Sequence, residues 1–214
     1  MAAPADMTAA NISGKFVLNK EQSEKNDEIL KQQGVNWMTR KAVAIATPHL
    51  AIKHYKDDAG VEHIEVEQAV GGNKLAEHRV LDDSPKAIDS PLVGALLQRN
   101  RRVAVGELEA GWLKQGWLAE SFVDGAVIHV TVDSDAVKNE AKWRMEQVSF
   151  GAASLTFALG GGDVDGRGVG LVGGQKKYVR RIHCVGQKGE VVHGCLVYDY
   201  GESSGFGTET WDKI

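Results

Sequence analysis

The sequence predicts an all-β, mainly antiparallel protein: a closed up-and-down β-barrel of about ten strands, with a helical-hairpin lid after the first strand. Three observations carry that expectation. Short runs of alternating apolar and polar residues recur along most of the chain, the period of strands with one buried face. The 25 glycines against 4 prolines supply many tight turns. Helical periodicity is concentrated directly after the first strand, a pattern that suits a barrel better than a βαβ fold.

Taken in order, residues Ile12 to Leu18 read as the first strand. Ser23 and Asp27 can cap a short helix running to Gln33, and Gly34 is a natural stop. Asn36 can cap a second helix that Pro48 ends, and Met38, Ala42 and Ile45 give it one apolar stripe in need of a surface to cover. Alternation then places Leu50, Ile52 and His54 on one face of a strand and Ile64, Val66 and Gln68 on the next, with Asp57-Asp58-Ala59-Gly60 as the turn. Further strands are expected at Lys74 to Leu81, Arg101 to Leu108, Ala126 to Val132, Lys142 to Phe150, Leu155 to Leu159, Tyr178 to Val185 and Val191 to Tyr200. Leu92, Leu96 and Leu97 have helical spacing, so Pro85 to Asn100 is expected to hold a short helix outside the barrel.

Length and composition bound the rest. No interior stretch is poor enough in apolar residues to be a linker, which predicts one domain over 11–201 with flexible tails at 1–10 and 202–214. A net charge of -4 with scattered Lys and Arg lacks the basic excess that nucleic acid requires. No run approaches the roughly 18 to 20 apolar residues of a membrane helix, and Met1 to Ala10 has no signal-peptide pattern. A cytoplasmic protein is expected, and the sequence leaves open whether it forms a homodimer. Cys184 and Cys195 fit reduced, packed thiols.

A first strand, a helical hairpin and then up-and-down strands resemble the intracellular fatty-acid-binding proteins and lipocalin-like barrels of the calycin group. The resemblance is carried by Gly14-Lys15-Phe16 and by the lid-like segment from Glu28 through Gly34-Val35-Asn36-Trp37-Met38-Thr39-Arg40-Lys41. Trp37 to Ala42, Tyr178-Val179-Arg180-Arg181 and Leu196 to Tyr200 are more closely similar to a set of fungal calycin-like proteins. The resemblance implies a barrel enclosing an apolar small molecule. In fatty-acid-binding proteins an Arg-x-Tyr on the last strand grips the ligand carboxylate; Tyr198 matches that Tyr, but Leu196 stands where the Arg belongs.

The loop between the last two strands sets which side chains point inward. If it is Gln187-Lys188-Gly189, Tyr178, Arg180, Ile182 and Cys184 share a face with Val192, Gly194, Leu196 and Tyr198. A loop one residue shorter would bring His193, Cys195 and Asp199 beside Arg180. The first register is preferred because it groups the excess charge outside. Strand alternation then adds His54, Gln68, Glu77 with Arg79, and Trp143 with Gln147 to the inner set. A buried guanidinium must meet a carboxylate, carbonyl or ligand oxygen, and a purely structural polar network is the alternative use of these groups. Trp37, Trp112, Trp117 and Trp143 are candidates to line a cavity or simply to pack a core. The echo Gly111-Trp112-Leu113 and Gly116-Trp117-Leu118 reads as a corner or rim.

Other motifs point nowhere. Gly168 to Gly173 matches G-x-G-x-x-G but precedes a strand instead of a helix. Asp163-Val164-Asp165-Gly166 lacks the remaining ligands of a calcium loop. His183 and Cys184 must face opposite ways, so with His193 and Cys195 they cannot converge on zinc without distortion. No metal site and no cofactor is expected. The expected function is a cofactor-independent cyclase or isomerase, with pericyclic chemistry such as a cycloaddition included, acting on an apolar, oxygen-bearing intermediate of fungal specialised metabolism. Arg180 would stabilise charge on oxygen, Tyr198 would donate a proton, and His54 or Glu77 would act as base. Trp37, Gln68, Arg79, Trp143, Gln147 and Tyr178 would bind the substrate. A carrier without chemistry and a scaffold with a filled barrel are the alternatives.

Overall fold

A computed structural model describes residues 1–4, 7–70, 72–117, 121–134, 142–150 and 175–201. Ten strands form one sheet: β1 (Gly14–Glu24), β2 (His49–Lys56), β3 (Glu62–Val70), β4 (Asn73–Val80), β5 (Lys86–Ser90), β6 (Gly94–Ala104), β7 (Ala126–Asp133), β8 (Arg144–Phe150), β9 (Tyr178–Val185) and β10 (Val191–Tyr200). Their order is β4-β3-β2-β1-β10-β9-β8-β7-β6-β5. Every pair is antiparallel. Helices α1 (Asn26–Gln32) and α2 (Trp37–Ile45) follow β1.

The ladder forms a half-barrel, and the closed barrel expected from the sequence is not found among the described residues. Among the described residues β4 and β5 are left as edges. β5 is five residues long, too short to pair along the whole of β4. The gap is bridged by other contacts: the Gln98 amide donates to Glu77 at 2.7 Å, the Arg99 guanidinium donates to the Asp83 carbonyl at 2.8 Å, and the Asp83 N–H donates to the Asn100 carbonyl at 3.0 Å.

β1 joins the two halves. Its first residues pair with β2, and Phe16 to Asn19 pair with Tyr200 to Val197 of β10 before the register shifts between Asn19 and Glu24. That irregularity bends the strand and leaves the Ser23 hydroxyl to accept from the Val197 N–H. Inward, Phe16, Leu18, Leu50, Ile52, Ile64, Val66, Ile128, Tyr178 and Tyr198 form one core cluster.

β9 and β10 adopt the preferred register: Tyr178 faces Tyr198, Arg180 faces Leu196, Ile182 faces Gly194 and Cys184 faces Val192. Gly186 donates to Glu190 across a Gln187-Lys188-Gly189 loop, and Gly189 takes the left-handed φ of 82° that such a three-residue turn requires. Both cysteines are free and buried, Cys184 inside against Ile29 and Cys195 in a separate outer cluster.

Four further expectations need correction. Residues Pro85 to Asn100 hold no helix; they form β5 and β6, with Ile88 opposite Leu96 and Ala87 opposite Leu97, because strand pairing outweighs a local helical spacing. The stripe on α2 is left on the surface: Met38 and Ile45 are 75% and 83% exposed. Asn36 does cap that helix, accepting from the Thr39 N–H at 2.9 Å. The start of the chain is no free tail, since Ala3 and Met7 join the core cluster and the Ala3 N–H donates to the Lys176 carbonyl. Trp112 and Trp117 line no rim either. They lie with Leu108 and Leu113 over the outer face of the sheet, against Val103, Val127, Val148, Val179 and Val197, and hold the buried guanidinium of Arg181 at 4.6 and 5.4 Å from their ring centres. The strand expected at Leu155 to Leu159, the two motifs between Asp163 and Gly173, Leu118, and the tail 202–214 lie outside the described residues.

A buried ion network ties the N-terminal segment to the barrel floor. Glu62 accepts from Arg102 Nε at 2.8 Å and from His54 Nε2 at 2.6 Å. The Ile12 N–H donates to His54 Nδ1 at 3.2 Å, and Arg102 also donates to the Ala9 carbonyl. Burial alone would raise the Glu62 pKa, but its bonds to His54 and Arg102 and their charges hold it at about 2, below the ordinary 4.5. The unfolded chain therefore takes up that proton first as acid is added. The stabilisation is complete above about pH 4.5 and is lost as pH falls towards about 2. Substituting Glu62→Gln should cost about 3 kcal/mol in urea unfolding at neutral pH and flatten the acid limb of the stability profile; an unchanged acid limb would refute the assignment.

Candidate functional site

A cavity of about 550 Å³ opens between the free edges of the half-barrel, bounded by β4, the β5–β6 hairpin and the inner faces of β7, β8 and β9. The volume suits a small organic ligand. Its apolar wall includes Ile88, Val93, Leu96, Val130, Val132 and Met145. Gln33, just beyond α1, reaches in from above and donates weakly to the Met145 sulfur at 3.7 Å. Leu75 and Leu92 on the wall are 40% and 43% exposed, which places them at the mouth.

The polar groups fall into two sets. Glu77 and Arg79 stand two residues apart on β4 and so share a face. Arg79 Nε and Nη2 donate to the two Glu77 carboxylate oxygens at 2.8 and 2.7 Å, a forked geometry that guanidinium and carboxylate match well. Gln98 adds a third bond to Glu77 and donates to Asn100 at 2.9 Å. Burial pushes the Glu77 pKa up, but the Arg79 charge and its bonds, the Gln98 bond and the Arg180 charge bring it to about 2. Glu77 is thus a fixed anion and a poor base.

Arg180 forms the second set. It is 8% exposed and its Nε donates to the Tyr178 hydroxyl at 3.1 Å. Its guanidinium lies 5.5 Å from the Tyr178 ring centre and 5.2 Å from that of Tyr198, within cation–π range. Burial opposes its charge, yet the oxygens of Tyr178 and Tyr198 and the Glu77 carboxylate keep its pKa above the ordinary guanidinium value. Nη2 is buried and, among the described residues, has no acceptor. Burial raises the Tyr198 pKa against the opposing charge of Arg180, so its hydroxyl keeps its proton.

Of the residues singled out from the sequence, Arg180, Glu77, Arg79, Trp143 and Gln147 meet on this wall. Tyr178 and Tyr198 support Arg180 from the core, their rings 5.4 Å apart. Gln68 is half-buried on β3 opposite Leu50 and Leu75, off the cavity wall. His54 is committed to Glu62 and Ile12. Trp37 is 65% exposed on α2, with Lys41 over its ring at 5.9 Å. Gln98 is not among the residues the sequence points to, because helical spacing of Leu92, Leu96 and Leu97 masks the strand on which it lies. The signal was present: Leu96, Gln98 and Asn100 alternate inward and are 4%, 4% and 2% exposed.

No protein-family model matches the chain. Over 111 residues, 50% of this chain, it is 29% identical to a curated protein of Mollisia scopiformis described as "Probable pericyclase scpY", and the match spans 59% of that protein's length. Among solved structures it is similar to the REP1-NXSQ fatty acid transporter, at 13% identity and a TM-score of 0.48 over 90% of this chain and 97% of the other. It is likewise similar to a fatty-acid-binding protein of Echinococcus granulosus, at 14% identity and a TM-score of 0.48 over 89% and 98%. In sequence the chain is thus similar, over half of its own length and 59% of the other's, to a protein described as a probable pericyclase.

The paired and unpaired cations make a distinct prediction. Decanesulfonate, an anion with an apolar tail, should bind the wild-type protein with an affinity that does not rise between about pH 7 and about pH 5, because Glu77 stays ionised there and keeps Arg79 paired. Glu77→Gln frees Arg79 and should tighten binding about ten-fold by calorimetry. Unchanged affinity would mean that Arg79 does not act on the cavity.

Proposed function

We propose that this chain is a cofactor-independent cyclase of pericyclic type, acting on an apolar, oxygen-bearing molecule folded inside the cavity. The observation that carries the reading is Arg180: a buried, permanently charged donor on an otherwise largely apolar wall, with one nitrogen unclaimed among the described residues. A guanidinium aimed at a carbonyl or enolate oxygen withdraws electron density as the transition state forms, and a preorganised donor in a dry site stabilises that charge far better than water does. A concerted ring closure needs that donor and a shape that holds the reacting ends together. It needs no base, and the inward carboxylate, Glu77, is held too acidic to act as one. His78 and Asp89 line the cavity as exposed residues. The 29% identity to a probable pericyclase over half of the chain supports the same reading.

A carrier is the second reading, favoured by the pairing of Glu77 with Arg79, which leaves that carboxylate no role as a base: a cavity with an oxygen-binding cation and apolar walls can hold a ligand and leave it unchanged. Turnover separates the two. Supplied with a linear triene joined through an apolar chain to an α,β-unsaturated ketone, the enzyme should accelerate intramolecular cycloaddition and give one stereoisomer in excess on chiral chromatography. Arg180→Gln should then lower the rate by about a hundred-fold with the fold retained. A triene that binds but closes at its uncatalysed rate to a racemic product would leave the carrier.

A further inference from the structure

Gln98 lies on β6, lines the cavity and is 4% exposed. Its amide nitrogen gives away both hydrogens, one to Glu77 Oε1 at 2.7 Å and the other to Asn100 Oδ1 at 2.9 Å. Its amide oxygen accepts no bond among the described residues, and unlike Arg180 Nη2 and the Trp143 indole nitrogen it keeps accessible surface. An acceptor of that kind on a nearly buried side chain of the cavity wall is within reach of a ligand, and it calls for a partner.

The neighbours determine which way round this amide stands. The oxygen and nitrogen of a glutamine are nearly alike in shape and are told apart by what they meet. Glu77 is an anion near neutral pH, and a carboxylate can only accept, so the nitrogen of Gln98 has to face it. Turning the amide over would set its oxygen against a carboxylate oxygen and lose both bonds in a buried place, where an unmade bond is costly. Glu77 is in turn held by its forked pair with Arg79. A buried ion pair is not needed for stability, since an apolar wall would serve as well.

We propose that Gln98 is a specificity-determining residue whose amide oxygen accepts a hydrogen bond from a hydroxyl or N–H group of the ligand, and that Glu77 and Arg79 are positioning residues that hold the amide in this orientation. This rests on the reading of the cavity as a ligand site. It narrows the ligand to molecules that carry a donor as well as the oxygen met by Arg180. A ketone, ester or ether satisfies Arg180 and leaves the Gln98 oxygen unmatched, whereas an alcohol, an enol or a secondary amide satisfies both. The same β5–β6 hairpin supplies Ile88, Val93 and Leu96 to the wall, so the donor belongs to a molecule that is otherwise apolar there.

The test compares decan-1-ol with its isomer 1-methoxynonane, which has the same atoms and no donor, by calorimetry on the full chain. The wild type should bind the alcohol about five-fold more tightly, the value of one hydrogen bond, although in a wall without an acceptor the ether would bind better. Gln98→Met keeps the length of the side chain and removes the acceptor; it should abolish that preference while decanesulfonate still binds. Glu77→Gln puts an amide that can donate as well as accept beside Gln98, which is then no longer held one way round, and the preference should fall at least about two-fold. Equal binding of the isomers by the wild type, a preference that survives Gln98→Met, or binding of decanesulfonate but of neither isomer overturns the acceptor and leaves the cavity reading intact. A preference unchanged by Glu77→Gln overturns the positioning role. Failure of all three ligands to bind overturns the cavity reading and this inference with it.

Discussion

The pairing of β1 with β10 is the constraint on which the rest depends. It joins the two ends of the described chain through Phe16–Tyr200 and Leu18–Tyr198 and bends the sheet so that inner faces distant in sequence meet. Phe16 then packs against Tyr178 at 4.8 Å between ring centres, and the two tyrosines fall beneath Arg180. Closing so long a loop costs conformational entropy before any contact rewards it. The apolar cluster under the floor, Glu62 with its two partners, and the packed residues Ala3, Met7, Ala9 and Ile12 offset that cost together.

With the sheet bent in this way, the cavity falls between the edge strands β4 and β5. β4 and β5 do not share a ladder, and the side-chain bond from Gln98 to Glu77 spans the gap where backbone pairing stops. The cavity lies along that gap. Its electrostatics follow from two neighbouring arrangements: Arg79 is neutralised by Glu77 in a forked pair, whereas Arg180 meets the Tyr178 hydroxyl and the π faces of Tyr178 and Tyr198, with the Glu77 charge acting on it without a direct bond among the described residues. One wall thus carries a satisfied cation and an unsatisfied one. Arg181, the next residue in the chain, faces the opposite way and is packed between Trp112 and Trp117, so strand alternation alone assigns the two guanidiniums to different surroundings.

Much of this could be read from the residues, in places where a turn signal and an alternating run agreed. The β2–β3 hairpin, the Asn36 cap, the Gly186 to Gly189 turn and the register that puts Arg180 with Tyr178 and Tyr198 are of that kind. The reading failed where two periods fitted the same residues: Leu92, Leu96 and Leu97 suit a helix, while Leu96, Gln98 and Asn100 suit a strand, and only the neighbouring strand β7 decides. It failed also where burial comes from a distant partner. Nothing local indicates that Trp112 and Trp117 would cover the outer face, or that Met7 would enter the core.

The sequence by itself determined the class of fold, the order of most elements and the face of each long strand, because these follow from side-chain period and turn chemistry within a few residues. The tertiary structure alone decided which inward polar groups are spent on each other and which keep a buried atom without a partner among the described residues. His54 and Glu77 look equally available as letters; one is bound to Glu62 and the other to Arg79. That distinction depends on distances between strands far apart in the chain, and local periodicity carries no information about them.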